Sequence, residues 1–238
     1  QGDVSLNESG QLQGSVHGVK FARHCQTLLV VARRGEDPVI CLIPAATVAV
    51  TQGKDLAGEP SDDLDLFVQV QPQACFEIDE AKLDAVLVWG AAMRSVMMAG
   101  ALEEALAATV GYALERKQFG KAIAKFQAIQ QQLAVFATQV AASTRAAETL
   151  MVQSEIASID VAIAKARIGE AAGICAEIAH QVHGAIGYTR DHRLNHLTRR
   201  LWAWRDAFGH EAYWQERLGR TLLADQTGDL WQQVTALG

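Results

Sequence analysis

Phe126-Gln-Ala-Ile-Gln-Gln-Gln-Leu-Ala-Val-Phe-Ala-Thr-Gln-Val140 decides the class of this fold. Phe126, Ile129, Leu133, Phe136 and Val140 recur every three or four residues, the spacing that gathers side chains on one face of an α-helix. The spacing predicts a helix over about 124–153. Working outward, no proline follows Pro72, while Pro38, Pro44, Pro60 and Pro72 all precede it. Proline lacks the N–H and clashes with the preceding turn inside a helix, so a long proline-free stretch rich in Ala, Leu, Gln and Glu reads as helical. Further helices are expected over about 80–116, 159–182 and 194–223. Three or four long helices on short connections make an antiparallel bundle.

Upstream the pattern changes. Leu28–Val31, Val39–Ile43, Val48–Val50 and Leu66–Val70 are short β-prone runs punctuated by Gly, Pro, Asp and Asn. The expected class is α+β and mostly α, with a short antiparallel β region over 1–78 and a C-terminal antiparallel four-helix bundle over 79–238. A sheet of that size is expected to need cover on at least one edge.

Bulk properties narrow the function. The 238 residues are 50% hydrophobic and 20% charged, with a net charge of −6, which argues against nucleic acid or an anionic membrane as the main partner. No uninterrupted apolar run reaches roughly 18 residues, so no membrane-spanning helix is expected. Cys25, Cys41, Cys75 and Cys175 form no CxxC pair and read as reduced thiols of a cytoplasmic protein. Gln1-Gly-Asp-Val4 shows neither a signal-peptide pattern nor an initiator Met, so the chain reads as a fragment. His192 and His196 have ligand spacing but no evident third ligand, and no metal is expected.

Two segments carry chemistry. The first is Tyr112-Ala-Leu-Glu-Arg-Lys-Gln-Phe-Gly-Lys121, followed by Phe126-Gln127. Taken locally, Arg116 and Lys117 before Gly120 describe a helix C-terminus with Gly at C′. The second is Gln181-Val-His-Gly-Ala-Ile-Gly-Tyr-Thr189, whose glycines let backbone approach a pyrophosphate closely. Together they resemble the C-terminal bundle of acyl-CoA dehydrogenases. The resemblance implies FAD as cofactor, held mainly by a neighbouring subunit, with Arg116, Gln118, Phe119 and Gln127 contacting its adenosine diphosphate half. It likewise implies contacts from Gln181, His183, Gly184 and Ala185, where Ala185 replaces the second Gly of the usual pair. An Arg fork suits pyrophosphate oxygens, Gln suits adenine or ribose edges, and Phe offers an apolar face. The likeness covers nearly all of this chain but only the later part of a usual family member.

The same resemblance implies an acyl-CoA thioester as substrate, a homo- or hetero-oligomer of related subunits, and a catalytic carboxylate with a raised pKa. At one family position for that carboxylate, within Trp202-Ala-Trp-Arg-Asp-Ala-Phe-Gly-His-Glu-Ala212, stands Phe208. At the other, 26 residues before Arg116, stands Gly90. Ala91 holds the place of the Arg that usually follows, and Arg94 lies one turn on. Asp206 and Glu211 flank Phe208 and are the substitute candidates. Two functions follow: a catalytic subunit for α,β-dehydrogenation of an acyl-CoA, or a non-catalytic partner that completes the FAD site of a heteromeric enzyme. The missing base favours the second. A flavin-free helical scaffold is the alternative from another class.

Overall fold

The computed structural model describes residues 3–152, 156–224 and 231. The chain divides into two compact units, Gln1–Leu87 and Val88–Gly238.

The first unit is built on seven strands: β1 (Val4–Leu6), β2 (Gln11–Lys20), β3 (Thr27–Arg34), β4 (Asp37–Pro44), β5 (Ala49–Thr51), β6 (Ser61–Gln69) and β7 (Cys75–Glu77). They lie in the order β5-β6-β2-β1-β3-β4-β7. Each β-prone run overlaps a strand, with Val48 and Val70 just outside β5 and β6, and β1, β2 and β7 are additions the sequence did not announce. The sheet is mixed rather than purely antiparallel, because β1 pairs parallel with β3 at Ser5↔Arg33. Alternating residues enter one core: Leu28, Val30 and Ala32 from β3, Val39, Cys41 and Ile43 from β4, Leu64, Leu66 and Val68 from β6. Both edges, β5 and β7, are three-residue strands, and short edges limit unwanted pairing.

One buried ion pair ties the sheet's end together. Asp62 is inaccessible to solvent. It accepts from the Arg23 backbone N–H and side-chain Nε, both at 2.9 Å, and from Gly53 N at 3.3 Å. Arg23 therefore holds the Asp62 carboxyl down to about 2, from an ordinary 3.8. With its folded value depressed, the group stabilises fully above the unfolded value, and that contribution disappears as pH falls through about 2. The expected outcome is acid destabilisation of this unit between about pH 4 and pH 2, flattened in Asp62→Asn. Circular dichroism along an acid titration checks it; parallel native and variant curves would refute it.

The second unit is helical: α1 (Glu80–Glu115, whose first turns belong to the first unit), α2 (Gln127–Val152), α3 (Ser158–His183), α4 (Arg193–Asp206) and α5 (Glu211–Ala224). Two short strands, β8 (Lys117–Gln118) and β9 (Lys121–Ala122), join α1 to α2 through a 3-10 turn at Ile123–Lys125. Residue 153, the expected end of the second helix, lies outside the described residues. The expected fourth helix is two helices, because Ala207 leaves the helical conformation and Phe208 and Gly209 take φ of 57° and 91°. Helix α1 is, by length and composition, apolar enough to cross a membrane. The uninterrupted-run criterion missed this because Arg94, Glu103 and Glu104 interrupt it. Met98 and Leu102 of α1 are fully buried, the behaviour of a core helix.

Candidate functional site

The first motif folds differently from its local reading. Helix α1 ends at Glu115, and Gly120 is no C′ residue: β8 and β9 form a hairpin whose two-residue connection is Phe119-Gly120. Both residues have positive φ, 50° and 77°, as a type I′ turn requires. The cations thus leave the helix dipole and enter a hairpin. Arg116 is fixed on both sides of its peptide, its N–H donating to Tyr112 O and its carbonyl accepting from Ile123 N, each at 2.8 Å. Phe119 at the tip is 92% exposed and meets Phe126 edge-on at 6.1 Å.

The second motif forms the facing wall. Helix α3 runs into Gln181-Val-His183, and Gly184–Tyr188 follow as a 3-10 turn. His183 stacks on Tyr112 with ring centroids 4.4 Å apart, so the two motifs are clamped together through one aromatic pair. Its Nδ1 lies 2.8 Å from Ala179 O; a carbonyl only accepts, so Nδ1 carries the hydrogen. Burial lowers the His183 pKa, with the nearby His192 and His180 adding to the fall and the contact with Ala179 opposing it. His180 steadies the turn from below, hydrogen-bonded to Thr198 at 2.9 Å and stacked on Tyr188 at 4.2 Å. Gly184 has φ 65°, and a Cβ built there meets nothing within 4 Å. Ala185 is not among the positive-φ residues, so alanine in place of the second glycine strains no backbone.

Between the walls lies an open cavity of about 560 Å³. Seven of the eight residues expected to contact a cofactor line it: Arg116, Gln118, Phe119, Gln181, His183, Gly184 and Ala185. Gln127 does not; it opens α2 between two residues that do, Phe126 and Ala128. Tyr112, Ile123 and Ile129 complete an apolar floor. The lining holds no carboxylate, and Arg116 is its cation. An anion-compatible rim over an apolar floor fits the diphosphate and adenine of a dinucleotide such as FAD.

The candidate base positions converge elsewhere in this unit. A Cβ built on Gly90 would lie 2.3 Å from Cδ1 of Phe208, so the ring of Phe208 packs directly on Gly90. Two positions 118 residues apart in the chain therefore share one place, and neither bears a carboxylate. The substitutes do not repair this. Glu211 is ion-paired with Arg205, with Nε at 2.8 Å, and its Cβ backs onto Gly169. Asp206 is exposed at the end of α4 and is enclosed by no pocket. Arg94 is buried with its guanidinium 5.6 Å from the Trp204 ring centre.

The sequence reading missed what holds this turn. Lys165 on α3 is wholly buried and donates to Arg205 O at 2.6 Å and Gly209 O at 2.7 Å. Burial pushes its ammonium down to about 8. The signal was present, since Lys165 lies on the Val161-Ile168-Ala172 stripe, where a polar residue must find buried partners. Trp214 Nε1 donates to Phe208 O at 2.9 Å from the other side. Of the paired histidines, His192 caps α4 by accepting from Leu194 N at 3.2 Å. Among the described residues no three His, Cys, Asp or Glu side chains are grouped for a metal.

A helical unit with an arginine-rimmed, apolar-floored cavity is what the fold defines, and comparison with known proteins gives the family. The family description "Acyl-CoA dehydrogenase, C-terminal domain" matches residues 83–223. The chain belongs to the acyl-CoA dehydrogenase family, whose members are FAD-dependent oxidoreductases. It is 39% identical over 117 residues to the caffeyl-CoA reductase-Etf complex subunit CarC of Acetobacterium woodii, covering 46% of this chain and 29% of that protein. It is 34% identical over 139 residues to acyl-CoA dehydrogenase FadE27 of Mycobacterium tuberculosis, covering 49% of this chain and 37% of that one. Among solved structures, the ChsE4-ChsE5 complex of Mycobacterium tuberculosis superposes with a TM-score of 0.83 at 25% identity, over 96% of this chain and 64% of that one. The chain thus spans less than two thirds of the relatives it matches.

Proposed function

We propose that this chain is the flavin-completing subunit of a heteromeric acyl-CoA dehydrogenase, lending half of an FAD site to a neighbour and contributing no catalytic base. The observation that carries the reading is the packing of the Phe208 ring on Gly90. The Phe208 ring lies against the Gly90 backbone, and neither residue can take a proton. By contrast, seven of the eight expected contact residues line the cavity, which supports a binding role. Arg116 offers a planar fork to a diphosphate, Gln118 and Gln181 offer donors and acceptors, and Phe119 presents an exposed ring away from its own core. A large apolar side chain at 92% exposure on a constrained hairpin tip suits a surface that another chain covers. FAD, when bound, would accept the hydride removed from the acyl thioester. The ChsE4-ChsE5 relative is a complex of two differently named chains, which agrees with a hetero-oligomer here. The same reading puts the protein in the cytoplasm, as expected of a chain without paired cysteine spacing.

Turnover separates the alternatives. The chain purified alone is expected to show no acyl-CoA oxidation with an electron-acceptor dye. Co-purified with a family partner that carries the base, it is expected to yield a flavin-coloured, active assembly. Activity of the chain alone, abolished by Asp206→Asn, would make it a catalytic subunit. An assembly without visible flavin absorbance would make it a scaffold.

A further inference from the structure

Cys41 and Cys75 face each other across the last pair of strands in the sheet. Strand β7 registers on β4 as Val39↔Glu77, Ile40↔Phe76 and Cys41↔Cys75. Just beyond, Ile78 N–H donates to Pro38 O at 3.3 Å, which makes 38 and 78 a hydrogen-bonded pair. Pairs alternate along an antiparallel ladder, so 40/76 is hydrogen-bonded and 41/75 is not. Residues in the second kind of pair sit about 4.5 Å apart at Cα with side chains close together on one face. That separation lies inside the range of about 4.4–6.8 Å which a disulfide spans. The two Sγ atoms are already 4.0 Å apart.

Access to the two thiols is unequal. Cys41 is buried in the core, whereas Cys75 is half-buried and borders a cavity of about 510 Å³ with Arg34, Gln71 and Pro72. Burial pushes the Cys41 thiol up to about 12, with Cys75 beside it adding to the rise. The entering nucleophile is therefore Cys75. Strand β7 is a three-residue edge, so its side of the pair can close the remaining gap without unzipping a long ladder.

We propose that Cys41 and Cys75 are a reversible redox pair, closed to a cross-strand disulfide by a low-molecular-weight disulfide such as oxidised glutathione. The Cys75 thiolate attacks one glutathione sulfur, forming a mixed disulfide and expelling glutathione thiolate. Cys41 then attacks Cys75 Sγ, forming the protein disulfide and expelling the second glutathione thiolate. The two thiols lose two protons and two electrons, and one oxidised glutathione becomes two reduced ones. The closed form pins β7 to β4 directly before Glu80, where α1 begins. Cys25 is exposed and Cys175 is buried on α3, and neither has a thiol partner among the described residues.

The test uses the full chain carrying Cys25→Ser, which removes the exposed thiol as a source of adducts. After incubation with oxidised glutathione, intact mass is expected to fall by two hydrogen atoms per chain. Peptide mapping is expected to show a Cys41–Cys75 link with Cys175 still free, and dithiothreitol is expected to reverse both changes. Adding Cys75→Ser, a change at a half-buried edge position, is expected to abolish the loss. A glutathione adduct that persists on Cys75, a link involving Cys175, or two thiols that stay free would each overturn the proposal, and the mapping decides this even if the Cys75→Ser chain folds poorly.

Discussion

Replacing Arg116 with alanine is expected to weaken FAD binding by the assembled protein by about ten- to a hundredfold. The figure follows from the loss of hydrogen bonds to a charged group, worth about 1.5–3 kcal/mol, at about 1.4 kcal/mol per decade. Three features concentrate the effect on this residue. The peptide on either side of Arg116 is fixed by bonds to Tyr112 and from Ile123, so its guanidinium starts from a set position. The cavity lining has no other cation and no carboxylate to neutralise it. The side chain is also exposed at the hairpin's foot, where a ligand can reach it. Equilibrium dialysis of FAD against the assembly measures the change, with thermal melting as a check on folding. Arg116→Lys is expected to fall between, because it keeps the charge and loses the fork. An affinity unchanged in Arg116→Ala would remove the diphosphate from this cavity.

Much of the fold was legible because helices advertise themselves locally. The stripe from Phe126 to Val140 predicts α2, and Phe136 and Val140 are buried as it requires, while Ile129 and Leu133 pack on Ala113, Ile123 and Val182. Strand β2 was not legible, because its sequence obeys a distant partner rather than its own pattern. A Cβ at Gly14 would stand 2.4 Å from Asp3 O, so glycine there admits β1, and a register shift between Val16 and Val19 breaks the alternation. The hairpin at Phe119-Gly120 was hidden for a related reason. Gly after cations serves a helix end and a two-residue turn equally well, and only the pairing of Lys117 with Ala122 decides between them. At the site, the contact residues could be named from the two motifs, but not what joins them. The stack of His183 on Tyr112 links residues 71 apart, which no spacing rule reports. The base was legible only as a substitution at two places. That Gly90 and Phe208 are one place, each making room for the other, required the fold.

That mutual fit rests on Trp214, and Trp214→Ala is expected to cost the helical unit about 3–5 kcal/mol. Trp214 is fully buried, so its removal leaves a cavity as well as lost transfer energy. Its indole also stands 2.9 Å from Phe208 O as a donor, and the ring lies 5.3 Å from the Arg217 guanidinium. For a unit of this size the loss corresponds to a fall in Tm of roughly 10 °C or more. Trp214→Phe separates the contributions, since it keeps much of the volume and removes the donor; about 1 kcal/mol of its cost belongs to the bond. Lys165 still holds Arg205 O and Gly209 O in both variants, so α4 keeps its end while the Phe208 peptide is freed. Calorimetry of the three proteins gives the ordering native, Trp214→Phe, Trp214→Ala. If Trp214→Ala melts within a degree or two of the native protein, the turn that seats Phe208 on Gly90 is held by Lys165 alone.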